Sequence, residues 1–320
     1  MTPGVPLIAV VGATGTGKST LSLDIARQLA EHGVTAEVIN ADAMQLYRGM
    51  NIGTAKVPEA QREGIRHHMI DVLDVTEEAT VSWYQPAARA AIADTIARGN
   101  VPLLVGGSGL YVSSVLFDFD FPAHDDGVRA GLEQEAHEKG VGVLAERLRT
   151  LAPETAQRID PRNARRVIRA LEVITISGSG AELGRLAPQV DPPAPAWSTA
   201  HTLVCHTERD ELVRRLDERV VQMWADGLVD EVVELIPRGL DEGVTARRAI
   251  GYAQALGQIR SELTQDQATA ETQVLTRRYA RRQVSWFKRY DSSTLVDVSA
   301  ADSEGPVSDL VQRVMADLAP

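Results

Sequence analysis

One cysteine, Cys205, in 320 residues excludes an internal disulfide and any zinc site built on paired thiolates. It lies in the apolar run Thr202 to Cys205, where a buried strand residue is expected and a reactive thiol is not. Long apolar runs are also missing. None approaches the roughly 20 residues needed to span a bilayer, and polar residues or glycine interrupt each one. Met1 to Pro6 carries no basic residue, and the apolar stretch after it is consumed by the first strand of a phosphate-binding unit. No secretory signal is read, so the expected location is the cytoplasm, with no membrane attachment. Neither an internal repeat nor an extended low-complexity tract is present. What remains, 44% hydrophobic and 24% charged residues, is ordinary globular composition. The length suits one large domain or a core with a sizeable insertion.

A formal charge of −11 argues at first against a nucleic-acid partner, but the charge is unevenly spread. Arg158 to Glu172 holds five arginines against Asp160 and Glu172, a net of +3. Arg277 to Tyr290 holds five arginines and Lys288 with no acid, a net of +6. Removing those nine positive charges from −11 leaves −20 on the rest. An acidic body with two concentrated basic segments can bind a polyanion locally and repel it elsewhere. Each segment alone also fits a solvated helix face, with Trp286 and Tyr290 of the second stacked on the core.

The most specific motif is Gly12-Ala13-Thr14-Gly15-Thr16-Gly17-Lys18-Ser19, entered from the apolar run Leu7 to Val11 and leaving into the helical pattern Leu21, Ile25, Leu29. Strand, glycine-rich loop and helix in that order form a P-loop. Its backbone N–H groups turn around a phosphate, Lys18 adds a mobile charge, and Ser19 offers a hydroxyl to Mg²⁺. The motif therefore binds a di- or triphosphate group without saying which molecule carries it.

Five apolar runs, Leu7–Val11, Ala36–Asn40, Pro102–Val105, Thr202–Cys205 and Thr294–Val298, alternate with helical patterns. That alternation predicts an α/β fold of the P-loop type, a mostly parallel sheet flanked by helices. Periodicity of 3.6 is clear over Lys18 to Glu31 and Ser82 to Arg98. Almost a hundred residues separate the third and fourth strands, too many for one crossover. Residues 121–195 are therefore read as an inserted helical lobe, with helices near Val128–Glu138, Val143–Leu151 and Asn163–Ile176. Residues 1–120 and 196–320 form the core. A return linker is read over Gly178 to Pro195, from Pro188, Pro192, Pro193 and Pro195. Further helices are expected at Glu208–Ala225, Val229–Ile236 and about Gln265–Arg289.

The second strand ends in Ile39-Asn40-Ala41-Asp42. An acid at the carboxyl end of a strand beside the P-loop strand sits where such sheets place their ligands. Asp42 is thus a candidate base or Mg²⁺ ligand, or an N-cap. The third strand runs into Gly106-Gly107-Ser108-Gly109-Leu110-Tyr111, where a nucleoside triphosphatase would commonly carry a Mg²⁺-holding Asp.

These blocks, with Ala43 to Lys56, Arg165 to Val173 and Gly251-Tyr252, resemble the tRNA dimethylallyltransferase (isopentenyltransferase) family over about Leu7 to Val298. The resemblance implies transfer of a dimethylallyl group from dimethylallyl diphosphate to N6 of adenosine 37, beside the anticodon. It implies that Lys18, Ser19, Mg²⁺ and an arginine read as Arg219 hold the leaving diphosphate, with Arg215 one turn earlier as the competing choice. Asp42 would accept the N6 proton. Ser108, where many relatives have threonine, would touch the bridging oxygen and lie near the tRNA. The implied tRNA (anticodon stem-loop) contacts are Asp42, Ala43, Met44 and Gln45, then Arg129, Arg165, Arg166 and Arg169, then Arg248, Gly251 and Tyr252. Ala253 stands where some relatives carry arginine. A monomer is expected. Some eukaryotic relatives add a C-terminal zinc finger, and no such pattern occurs through Pro320. His67 and His68 are adjacent and do not share a helix face, so a structural or tRNA-adjacent role is expected in place of a metal site. The competing readings are a P-loop kinase of a small metabolite or nucleotide and a non-catalytic RNA-binding or regulatory ATPase.

Overall fold

Near-continuous apolar runs build a parallel sheet through the larger unit of the chain. The computed structural model describes residues 5–119, 121, 124–178, 194–290, 293–298 and 304–319. Its strands are β1 (Leu7–Gly12), β2 (Ala36–Asn40), β3 (His67–His68), β4 (Val101–Gly106), β5 (Ala200–His206) and β6 (Thr294–Asp297). Among the described residues they lie in the order β3-β2-β4-β1-β5-β6, every neighbouring pair parallel. β1, β2 and β4 are buried at every residue, as a sheet covered on both faces requires. The register pairs Val11 with Gly106, Gly12 with Cys205 and Asn40 with Val105, which brings the carboxyl ends of β1, β2, β4 and β5 to one edge.

The helices are α1 (Lys18–Glu31), α2 (Val81–Ala97), α3 (Gly109–Leu116), α4 (Asp126–Lys139), α5 (Val141–Leu151), α6 (Pro153–Arg158), α7 (Ala164–Ser177), α8 (Arg209–Ala225), α9 (Leu228–Leu235), α10 (Tyr252–Ile259), α11 (Gln265–Phe287) and α12 (Glu304–Leu318). Leu21, Ile25 and Leu29 of α1 and Leu310 and Val314 of α12 share one core with Ile8, Val10, Leu103, Leu203 and Val296 of the sheet. Each such side chain contributes about 1.5–3 kcal/mol by leaving water. α2 packs on β2 and β4, and α11 on β1. Thr80 starts α2 by accepting the Trp83 N–H, and Thr264 with Gln267 closes a capping box at the start of α11. No described helix is long and apolar enough to cross a membrane.

The chain divides into two compact units, Met1–Leu116 with Ala196–Pro320, and Phe117–Pro195. The second is helical and has its own core, in which Leu144, Leu148, Val167 and Leu171 are buried with Leu132. Asp125 caps α4 through the Val128 N–H, and Asn163 caps α7 through the Arg166 N–H. Residues 179–193, most of the expected return linker with Pro188, Pro192 and Pro193, lie outside the described residues.

Candidate active site at the carboxyl edge of the sheet

β1 ends on Gly12, whose φ of +146° and close approach to β5 both demand glycine. A Cβ there would stand 2.6 Å from the Cys205 carbonyl oxygen. The chain then turns through left-handed Gly15 and Gly17, and α1 begins at Lys18 with its first N–H groups unpaired by the helix. The Ala13 carbonyl accepts two donors, Thr16 Oγ1 at 2.8 Å and Lys18 Nζ at 2.7 Å. Burial pulls the Lys18 ammonium down to about 8, against the opposing pull of Cys205 and Asp42. Ser19 is exposed at the first turn of α1. Cys205 is buried in β5, and burial pushes its thiol up to about 12.

α8 adds a second cation. Arg219 donates to the Thr14 hydroxyl at 3.2 Å, pairs with no carboxylate among the described residues, and is lowered from its ordinary range by burial. Arg215 instead donates to Glu211 at 2.6 Å, so the two arginines on this face have different partners.

Asp42 follows β2 and is held by its backbone. Its N–H donates to Asn40 Oδ1 at 3.0 Å, and its carbonyl accepts Asn40 Nδ2 at 3.0 Å. The same amide reaches Met69 O at 2.8 Å. One carboxylate oxygen accepts the Met44 N–H at 3.0 Å, and the Gln45 N–H also bonds the carboxylate. Burial raises the Asp42 carboxyl, only partly offset by the Met44 N–H and by Lys18. At the end of β4, Ser108 Oγ accepts the Ala43 N–H at 3.2 Å, which ties the two strand ends together.

Two residues that the sequence reading did not single out meet this edge from α11, one helical turn apart. The Tyr279 hydroxyl lies 3.3 Å from Ser108 Oγ, with burial and the Asp42 charge pushing Tyr279 up to about 12. Gln283 accepts the Thr14 N–H at 2.9 Å and donates to Gly107 O at 2.8 Å. The other α11 residues divide by face: Trp286 donates to Ser113, Arg277 pairs with Asp217, and Arg278, Arg281 and Arg282 are exposed.

The residues expected to meet RNA fall into two groups. Arg165, Arg166 and Arg248 are exposed, and Ala43, Met44 and Gln45 are partly so. Gln45 also donates to Thr54 O at 3.1 Å, and Arg129 to Glu133 at 3.1 Å. Two more of these residues have partners within the protein. Arg169, its side chain 25% exposed, bonds Glu172 at 2.8 Å, and that fully buried carboxylate also receives the Asp125 N–H and His124. Tyr252 is 0% exposed, and its hydroxyl donates to Glu231, which in turn accepts the Asn51 and Ile52 N–H groups. Its ring packs against Gly53 of the Asp42–Lys56 loop, where a Cβ would collide with it. Gly251, at φ +91°, precedes it and opens α10. His68 bonds Glu37 at 2.5 Å and His67 the Ile65 carbonyl at 2.8 Å, in structural roles on β3.

The sequence pattern of the IPP transferase family matches residues 45–290. The tRNA dimethylallyltransferase of Clavibacter sepedonicus is 58% identical over 292 residues, covering 91% of this chain and 93% of that protein. That of Thermobifida fusca is 50% identical, with 91% and 92% covered. Among solved structures, the tRNA isopentenylpyrophosphate transferase of Bacillus halodurans superposes with a TM-score of 0.68 at 34% identity, covering 98% and 97% of the two chains. A eukaryotic dimethylallyltransferase acting on tRNA reaches 0.77 at 26% identity, covering 97% and 78%.

Proposed function

The chain belongs to the IPP transferase family of tRNA dimethylallyltransferases, and on that premise we propose how its residues carry out the reaction. The enzyme transfers a dimethylallyl group from dimethylallyl diphosphate to N6 of adenosine 37 in tRNA. The N6 lone pair forms a bond to C1 of the allyl group as the C1–O bond breaks, and the diphosphate leaves with that electron pair. N6 then loses a proton. The observation that carries the assignment is the meeting, at one sheet edge, of an anion loop with two cations that have no carboxylate in hydrogen-bond contact among the described residues and a carboxylate raised by burial.

Lys18, Arg219 and the N–H groups opening α1 hold the diphosphate, and their charge is worth most as negative charge develops on the leaving oxygen. Ser108 Oγ accepts from Ala43 N–H, and with the Tyr279 hydroxyl donating to it as well, its own hydrogen would turn to the bridging oxygen. Asp42 accepts the N6 proton; burial makes it a stronger base than an exposed carboxylate. No group of three or more His, Cys, Asp or Glu side chains among the described residues could by itself hold a metal ion. Mg²⁺ on a diphosphate needs few protein ligands beside phosphate oxygens and water, and the exposed Ser19 hydroxyl fits that need. Bound there, Mg²⁺ would neutralise part of the diphosphate charge.

Adenosine 37 can reach Asp42 only by leaving the anticodon-loop stack. Exposed Arg248 on the core unit, and Arg165 and Arg166 on the helical unit, supply positive charge for the anticodon stem-loop. A cytoplasmic monomer is the working form we propose. A kinase or regulatory ATPase is not favoured, because β4 ends in Gly106 with no acid. Incubation with dimethylallyl diphosphate and unmodified tRNA, followed by nucleoside mass analysis, should give prenylated adenosine. Phosphorylation of a small acceptor from ATP, with no prenylated nucleoside, would overturn the reading.

A further inference from the structure

The Ala13–Thr14 peptide is gripped from both sides. Its carbonyl accepts Lys18 Nζ and Thr16 Oγ1, while its N–H, pointing the opposite way across the trans peptide, donates to Gln283 Oε1. The other end of the Gln283 amide donates to Gly107 O, beside Ser108. Gln283 is 3% exposed and fills the space next to the loop where β4 would otherwise carry an acid. A Cβ at position 107 would collide with Gln283 Nε2 and stand 2.9 Å from Gly12 O, so the glycine is the counterpart of the glutamine.

We propose that Gln283 is a positioning residue that sets the plane of the Ala13–Thr14 peptide, and through it the seat of Lys18, relative to the Ser108 turn. Both halves of the amide are needed, an acceptor for Thr14 and a donor for Gly107. A neutral group is needed too, because an acid there would stand beside the diphosphate loop. This rests on the roles given above to Lys18 and Ser108.

The test compares Gln283→Met, which keeps the volume without either bond, with Gln283→Glu, which keeps the acceptor alone. Thermal unfolding serves as the folding control. Misplacement of Lys18 predicts that Met lowers kcat/KM for dimethylallyl diphosphate by about 10- to 10²-fold, with KM for tRNA unchanged. Affinity for inorganic diphosphate with Mg²⁺, measured by calorimetry, should fall in both variants and furthest in Glu, whose charge repels the ligand. If Met fails to fold, the Glu variant decides alone. Wild-type diphosphate affinity in the folded variant, or a loss confined to tRNA KM, would overturn the proposal by showing that Gln283 only fills space. A wild-type enzyme that binds diphosphate but prenylates no adenosine would refute the assigned reaction instead, while the diphosphate affinities would still judge Gln283.

Discussion

Arg219 donates to the Thr14 hydroxyl at 3.2 Å, while Arg215, one turn earlier on α8, is held by Glu211 at 2.6 Å. The geometry makes these arginines unequal. Arg219→Ala should lower kcat/KM for dimethylallyl diphosphate by roughly 10²-fold, since it removes charge that faces the leaving group. Arg215→Ala should leave it near wild type. Steady-state kinetics on the two variants check the assignment, and the reverse ranking would move the diphosphate clamp one turn along the helix.

The Lys18 ammonium, lowered by burial to about 8 from an ordinary 10.5, gives a pH signature. Below about 8 it is charged and ready for diphosphate; above that it loses its proton in the free enzyme. The profile of kcat/KM for dimethylallyl diphosphate should therefore fall on its basic side near pH 8. In the kcat profile the same limb should lie at higher pH, because bound diphosphate favours the charged ammonium. Identical basic limbs in both profiles would show that Lys18 does not meet the diphosphate.

In the helical unit, Arg165 and Arg166 are exposed while Arg169 is spent on the buried Glu172. Replacing Arg165 and Arg166 together with alanine should weaken tRNA binding and flatten its salt dependence by about one unit of slope for each arginine–phosphate pair removed. Arg169→Ala should leave that slope unchanged and lower stability by roughly 1–3 kcal/mol, the loss of a hydrogen bond to a charged partner. Filter binding across a salt series and thermal unfolding separate the two effects.

What could be read in the sequence was whatever a contiguous stretch specifies by itself. The P-loop needs its glycines, Lys18 and Ser19 at fixed spacing between a strand and a helix, and α1 runs from Lys18 to Glu31 as its periodicity predicts. Asp42 was legible because it ends an apolar run beside that strand. β3, only two residues long on the sheet edge, and the short α6 and α10 lack enough length for periodicity to show. The roles of Tyr279 and Gln283 were hidden because their partners lie 171 and 176 or more residues away, and five neighbouring arginines and Lys288 drew attention to charge. A glutamine and a tyrosine four apart in a basic helix, facing a strand that lacks its expected acid, were the available signal. The motifs give the residue types at Tyr252 and Arg169, and only packing shows that Glu231 and Glu172 are their partners within the protein.

The central claim is that Asp42 takes the proton from N6, and Asp42→Asn tests it most directly, since the amide keeps the shape and removes the base. Under single-turnover conditions with both substrates bound, the rate should fall by roughly 10²- to 10⁴-fold. The acid-side limb of the wild-type pH profile, placed above the ordinary carboxylate range by burial of Asp42, should vanish in the variant. Adding Mg²⁺ in excess should restore nothing. Recovery of the wild-type rate by Mg²⁺ would contradict the account and make Asp42 a metal ligand.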